Sequence, residues 1–200
     1  MPMLDEKEDP AKPFRWAAEL TEKRKQHLLS MFEISIWLDT YEDIFSDFDP
    51  RQYNERSLSV DFLEEAKRAS RDKPSGNLQL KFVMPAKMKN PYHEAQIKKR
   101  LQEHFKRHHM LLHKEASNTF KKGMIFTVIG IVVMFLASFI LFKAEQKTLL
   151  VDFLVILLEP AGWFLFWEGL NIIVFKSKEI SPELEFYRKM AHCEIRFYYY

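Results

Sequence analysis

"MIFTVIGIVVMFLASFILFKAEQKTLLVDFLVILLEPAGWFLFWEGLNIIVF", residues 124–175, holds two apolar runs joined by a short polar link, and its reading decides the architecture of the chain. The first run, Met124 to Phe142, is free of charge over nineteen residues, close to the roughly 20 that a helix needs to cross a bilayer core. The second, Leu149 to Phe175, is longer than a crossing requires, so it must tilt, break or run partly along the interface. The six-residue link "KAEQKT" can join two antiparallel helices and little more. The pair is therefore expected to be a transmembrane hairpin whose outer ends lie on one side. Lys121 and Lys122 precede the first span and Lys176 and Lys178 follow the second, placed to meet anionic lipid headgroups. The positive-inside rule then puts both termini in the cytoplasm.

Outside the hairpin, 200 residues leave room for one modest soluble domain, and a net charge of +2 gives no global basic surface of the kind that binds nucleic acid. The single cysteine, Cys193, excludes an intramolecular disulfide framework and suits a reducing compartment. The opening "MPMLDEKEDPAKP" is acidic and proline-bearing, with no apolar core of a signal peptide, and residues 1–13 are expected to be a disordered tail.

Residues 14–120 read as a cytoplasmic α+β domain ending in a juxtamembrane helix. Trp16, Leu20, Arg24, Leu28 and Met31 recur at helical spacing, and "EISIWL", residues 33–38, reads as a buried strand. Thr40 and Asp43 suggest a capped turn that sets Tyr41, Ile44, Phe45 and Phe48 on one face. Ser59 is placed to cap a helix that runs from early acids to Lys67, Arg68 and Arg71, until "PSG" stops it. Leu78, Leu80, Phe82 and Met84 alternate with Gln79, Lys81 and Val83 as in a half-covered strand. Asn90-Pro91 opens another helix, with Ile97, Leu101 and Phe105 one turn apart, that can continue into the first span. After the hairpin, residues 121–176, a helix is expected to start at Ser181-Pro182, and in the tail Ile195, Phe197 and Tyr199 alternate as in a strand. Two strands make a marginal sheet, whereas residues 177–200, returned to the same side, supply a third. The expected fold is α+β: a small domain of about three strands plus helices, built from both chain ends, with a two-helix transmembrane hairpin inserted in it.

Four polar residues of the second span are the first candidates for function, because an ionised side chain near the bilayer centre costs on the order of 3 kcal/mol or more. Asp152 lies near the link, and Asn171 and Glu168 near the cytoplasmic end, whereas Glu159 falls mid-span beside Pro160 and must be protonated, paired or hydrated. His104/His108 and His109/His113 are each one helical turn apart and could grip a metal, but no third ligand or HExxH spacing accompanies them, and a basic juxtamembrane helix is the better account. The acidic run Asp39, Glu42, Asp43, Asp47 and Asp49 lacks the spacing and central glycine of a calcium loop, so caps and pairs with Arg51 or Arg56 are expected. With five glycines, no phosphate loop, no dinucleotide fingerprint and no nucleophile elbow, neither an enzyme nor a cofactor is expected.

The stretch "FSDFDPRQYNERSLSVDFLEEAKRA", with "GWFLFWEGLNIIVF" before a short helix and an alternating last strand, resembles a group of uncharacterised bacterial two-span membrane proteins. That resemblance implies the bacterial inner membrane and carries no activity to transfer. The reading that follows is a non-enzymatic membrane protein whose hairpin anchors and oligomerises a cytoplasmic domain binding another protein. The alternative is a pore, transporter subunit or membrane-permeabilising effector that uses Glu159 and its neighbours.

Overall fold

The computed structural model describes residues 32–200 except 75, 77 and 144–147. The expected tail at 1–13, the amphipathic stretch up to Met31 and most of the link lie outside the described residues. The described residues fall into two compact units, one of those up to Glu103 together with His192–Tyr200 and the other of those from His104 to Ala191.

The first unit is built on a three-stranded sheet ordered β1 (Glu33–Trp37), β2 (Gln79–Met84), β3 (Glu194–Tyr199), with both pairs parallel. Parallel neighbours cannot be joined by a tight turn and need a crossover connection. Helix α1 (Val60–Ser70) supplies the first crossover, and the whole apolar hairpin is carried inside the second. The chain ends thus meet in one sheet, as the alternating tail led us to expect.

Period-two alternation divides the sheet into two faces. Ile34, Ile36, Leu80, Phe82, Met84 and Ile195 are buried on one of them. Phe62 and Ala66, one turn apart on α1, bury against this face, with the Phe62 ring 5.9 Å from that of Phe82. Ile97 and Leu101, from the start of α2 (Pro91–Lys143), are also fully buried. Asn90 caps this long helix by accepting from the Tyr92 and His93 amides at 3.1 and 3.3 Å, so the Asn-Pro start works as its sequence suggests.

Three local expectations are corrected. Tyr41, Ile44 and Phe45 are buried around a 3-10 helix, Tyr41–Ile44, but Phe48 is 97% exposed because the chain leaves the helix at Phe45 in extended geometry. Ser59 occupies the cap position of α1 without a side-chain cap bond. No helix begins at Ser181-Pro182: α4 (Ser177–Ala191) follows without a break from α3 (Leu149–Asn171) through a π-helical turn, Ile172–Lys176, and holds Pro182 in its interior. A proline inside a helix forfeits one backbone hydrogen bond and crowds the carbonyl four residues back, a local cost that the remaining turns of a long helix carry. Pro160 likewise sits inside α3 without ending it.

In the second unit, α2 and α3 approach through small residues. A Cβ placed on Gly130 would lie 2.4 Å from the Phe166 amide nitrogen, one on Gly169 2.5 Å from that of Thr127, and one on Gly162 2.6 Å from Met134 Cγ. Partner numbers fall as the α2 number rises, so the helices run antiparallel. Only hydrogen side chains permit this backbone proximity. Thr127 fits the same seam by returning its hydroxyl to the Gly123 carbonyl at 2.9 Å. Both helices are long and apolar enough to cross a membrane, with mean hydropathy of 2.8 and 2.0 in their most apolar windows, of which only 11% is buried.

Candidate functional site

The four polar residues singled out in the second span are spread along α3 and do not converge. Asp152 and Glu159 are exposed, and Glu159 is one turn from the seam residue Gly162. Trp163 and Trp167 continue along its helical face, their rings nearly parallel at 6.0 Å, and both are exposed. Glu168 and Asn171 form a local pair, the amide donating to the carboxylate at 3.4 Å. Lys121, Lys122, Lys176 and Lys178 flank the apolar segments, as their positions dictate.

The histidines of α2 separate into two pairs with different surroundings. His108 stacks on His104 at 4.0 Å and on Tyr187 at 5.1 Å, and its Nδ1 lies 3.0 Å from the His104 carbonyl oxygen. His109 and His113 instead line a cavity of about 410 Å³ with Glu185 and Arg188. Among the described residues no group of three metal-ligating side chains forms.

The most elaborate polar site belongs to the first unit and grows from the acidic stretch. The chain between Phe45 and Leu58, which bridge each other, is a loop closed by Ser46 N–H to the Ser57 carbonyl at 2.9 Å and Ser59 N–H to that of Ile44 at 3.0 Å. Asp49 holds its interior by accepting from the Arg51 guanidinium at 2.7 and 2.9 Å and the Ser57 amide at 2.7 Å. The Arg51 bonds, with the Ser57 amide, keep the Asp49 carboxyl far below its ordinary range. Arg56 donates through Nε and Nη2 to the Ser46 carbonyl at 3.2 and 3.0 Å and through Nη1 to Glu42. Of the carboxylates expected to serve in caps and arginine pairs, Asp49 and Glu42 pair with Arg51 and Arg56, and Asp43 accepts from the Asp39 and Thr40 amides.

This loop meets the start of α2 around a cavity of about 390 Å³ lined by Glu42, Arg51, Arg56, Tyr92, His93 and Gln96, with Gln52 and Tyr53 completing the wall. The Tyr53 hydroxyl donates to Glu42 at 2.6 Å, and this bond, reinforced by Arg56, lowers the Glu42 pKa. Burial and the same bond push the Tyr53 hydroxyl up to about 12. Tyr53 stacks on Phe45 at 5.2 Å while the His93 ring meets it edge-on at 5.1 Å. Arg100 donates to the Arg56 carbonyl at 2.9 Å, fixing the loop to α2. The sequence named Glu42, Arg51 and Arg56 as partners, but their convergence with His93 and Gln96, some forty residues further on, has no local signal.

A second surface is the sheet face turned away from the core. Its rows read Glu33–Gln79–Glu194, Ser35–Lys81–Arg196 and Trp37–Val83–Tyr198. Lys81 pairs with Glu33 at 2.6 Å and lies 5.0 Å from the centre of the Tyr198 ring. At the other end Trp37, 69% exposed, meets Tyr200 at 5.1 Å. Polar pairs thus give way along the strands to an aromatic end.

No family model matches this chain, and neither a curated protein nor a solved structure is detectably similar to it.

Proposed function

We propose that the two long apolar helices form a bacterial inner-membrane hairpin, with both chain termini cytoplasmic, that anchors and oligomerises a non-enzymatic domain for docking another protein. The observation that carries the docking role is the open face of the all-parallel sheet. Such sheets are normally covered on both faces, whereas among the described residues this one carries an exposed end of Trp37, Tyr198 and Tyr200. Aromatic side chains bordered by polar pairs are the usual composition of a protein contact.

Membrane insertion is supported by the outward display of apolar side chains such as Phe135, Ile156 and Phe164, each more than 60% exposed. An aqueous surface of that kind is not sustainable on an isolated soluble chain. A photo-crosslinking residue at Trp37 in intact cells is expected to capture a protein that the same residue at Asp61 does not. Equal capture at both sites, or none, would defeat the docking role. Migration of the detergent-extracted chain as a monomer would defeat oligomerisation.

One observation favours the pore reading as the second choice. Glu159 is exposed on the hairpin, and assembly of several hairpins could cover it or place it along a water-filled path. Ion flux through reconstituted protein that is lost in Glu159→Gln would select the pore, and absence of flux would dismiss it.

A further inference from the structure

We infer that the cavity between the 45–58 loop and the start of α2 is a binding site for a phosphomonoester carrying a flat ring, the chemical class of nucleoside monophosphates. Its volume of about 390 Å³ is within the range of roughly 300–1,000 Å³ typical of small-molecule sites. The lining carries Arg51 and Arg56 beside the carboxylate Glu42, and Asp49 pairs with Arg51 from behind the wall, so charge is balanced and recognition rests on the surplus of donors.

Donors exceed acceptors in the lining. Arg51 spends Nε and Nη2 on Asp49 and Ser57, which leaves Nη1 without a protein acceptor among the described residues. Arg56 makes one bond from each terminal nitrogen, leaving a further N–H on each. With the side-chain amides of Gln52 and Gln96, these groups outnumber what two carboxylate oxygens accept and suit the three terminal oxygens of a phosphate ester. The helix start contributes little of this character, because Asn90 already occupies the Tyr92 and His93 amides.

The aromatic part of the ligand is argued from Tyr92, a large ring left 70% exposed at the mouth, with Tyr53 behind it. The donors are held in place before any ligand arrives. Asp49, Glu42 and the Ser46 carbonyl fix both guanidinium groups, so little ordering cost opposes binding.

The test uses the full-length protein in detergent, titrated calorimetrically with phenyl phosphate, phenylacetate and inorganic phosphate. Phenyl phosphate is expected to bind about tenfold more tightly than inorganic phosphate, and more tightly than phenylacetate. Gln96→Glu breaks no protein hydrogen bond and places a second carboxylate in the cavity; it is expected to weaken phenyl phosphate at least tenfold while thermal unfolding stays unchanged. Tyr92→Ala is expected to erase the preference for the ring and leave inorganic phosphate binding as it was. No saturable binding of phenyl phosphate up to about 10 mM, or equal affinity in Gln96→Glu, overturns the site. Tighter binding of phenylacetate overturns the phosphoryl assignment, and parity of inorganic phosphate with phenyl phosphate overturns the aromatic one.

Discussion

Cys193 and Tyr53 show how burial at single positions sets the chemistry of the first unit. Burial pushes the Cys193 thiol up to about 12, and Tyr53 reaches about 12 through burial and its bond to Glu42. In an unfolded chain these groups titrate near about 8.5 and 10. The folded state therefore holds the protons more tightly, and the stability they contribute is complete below about pH 8.5 and lost as pH rises toward the folded values. Urea midpoints are expected to fall between pH 8.5 and 10.5, and a flat profile there would contradict this assignment. At neutral pH a maleimide should label Cys193 only after denaturation. Phe48 is the opposite case. At 97% exposure it contributes no core contact, so Phe48→Ser should change stability by less than about 0.5 kcal/mol in the same urea titration.

At the scale of elements, the glycine seam of α2 and α3 predicts a graded response to one methyl group. At Gly130 and Gly169 the nearest groups include backbone, Phe166 N at 2.4 Å and Thr127 N at 2.5 Å, which can yield only if the helices separate. At Gly162 the nearest atom is the flexible Met134 Cγ, with backbone no closer than 3.0 Å. Gly130→Ala and Gly169→Ala are expected to destabilise the helix pair by about 1–3 kcal/mol, and Gly162→Ala by less. Unfolding of the purified chain in mixed micelles measures the order, and equal effects at all three positions would refute the seam. In the sequence Gly162 and Gly169 stand seven residues apart and so share a helical face. Their pairing with Gly123 and Gly130 had no local signal, because register between two helices depends on side chains that meet only in the folded pair.

For the whole molecule, the decisive feature is a sheet assembled from both chain ends. Strand β3 lies at an edge, with β2 as its strand partner among the described residues, and its removal leaves two parallel strands, too few for a stable sheet. It would also remove the hydrogen bonds of the Tyr199 hydroxyl to Glu94 and Tyr41, which join the tail to the start of α2 and to the 3-10 turn. Deleting residues 193–200 should therefore make the 32–103 region protease-sensitive under conditions where the intact chain resists. Unaltered resistance would show that this unit does not depend on its tail.

The strands, the long helix opened by Asn90-Pro91 and the two apolar helices were legible in the sequence because each rests on a local periodicity or on capping chemistry. The α+β class followed from the same signals, once a two-strand sheet was recognised as too small. Strand direction was not legible, since alternation of Ile195, Phe197 and Tyr199 is the same whether β3 runs with β2 or against it. Nor was the exposure of Phe48, whose fate is set by where the 3-10 turn ends. The exposure of Glu159, one turn from Gly162, was not legible either, and the cavity follows from packing residues 42–56 against residues 92–96. Local backbone preference and burial pattern thus determined the elements, and only long-range packing decided which of their polar side chains were brought together.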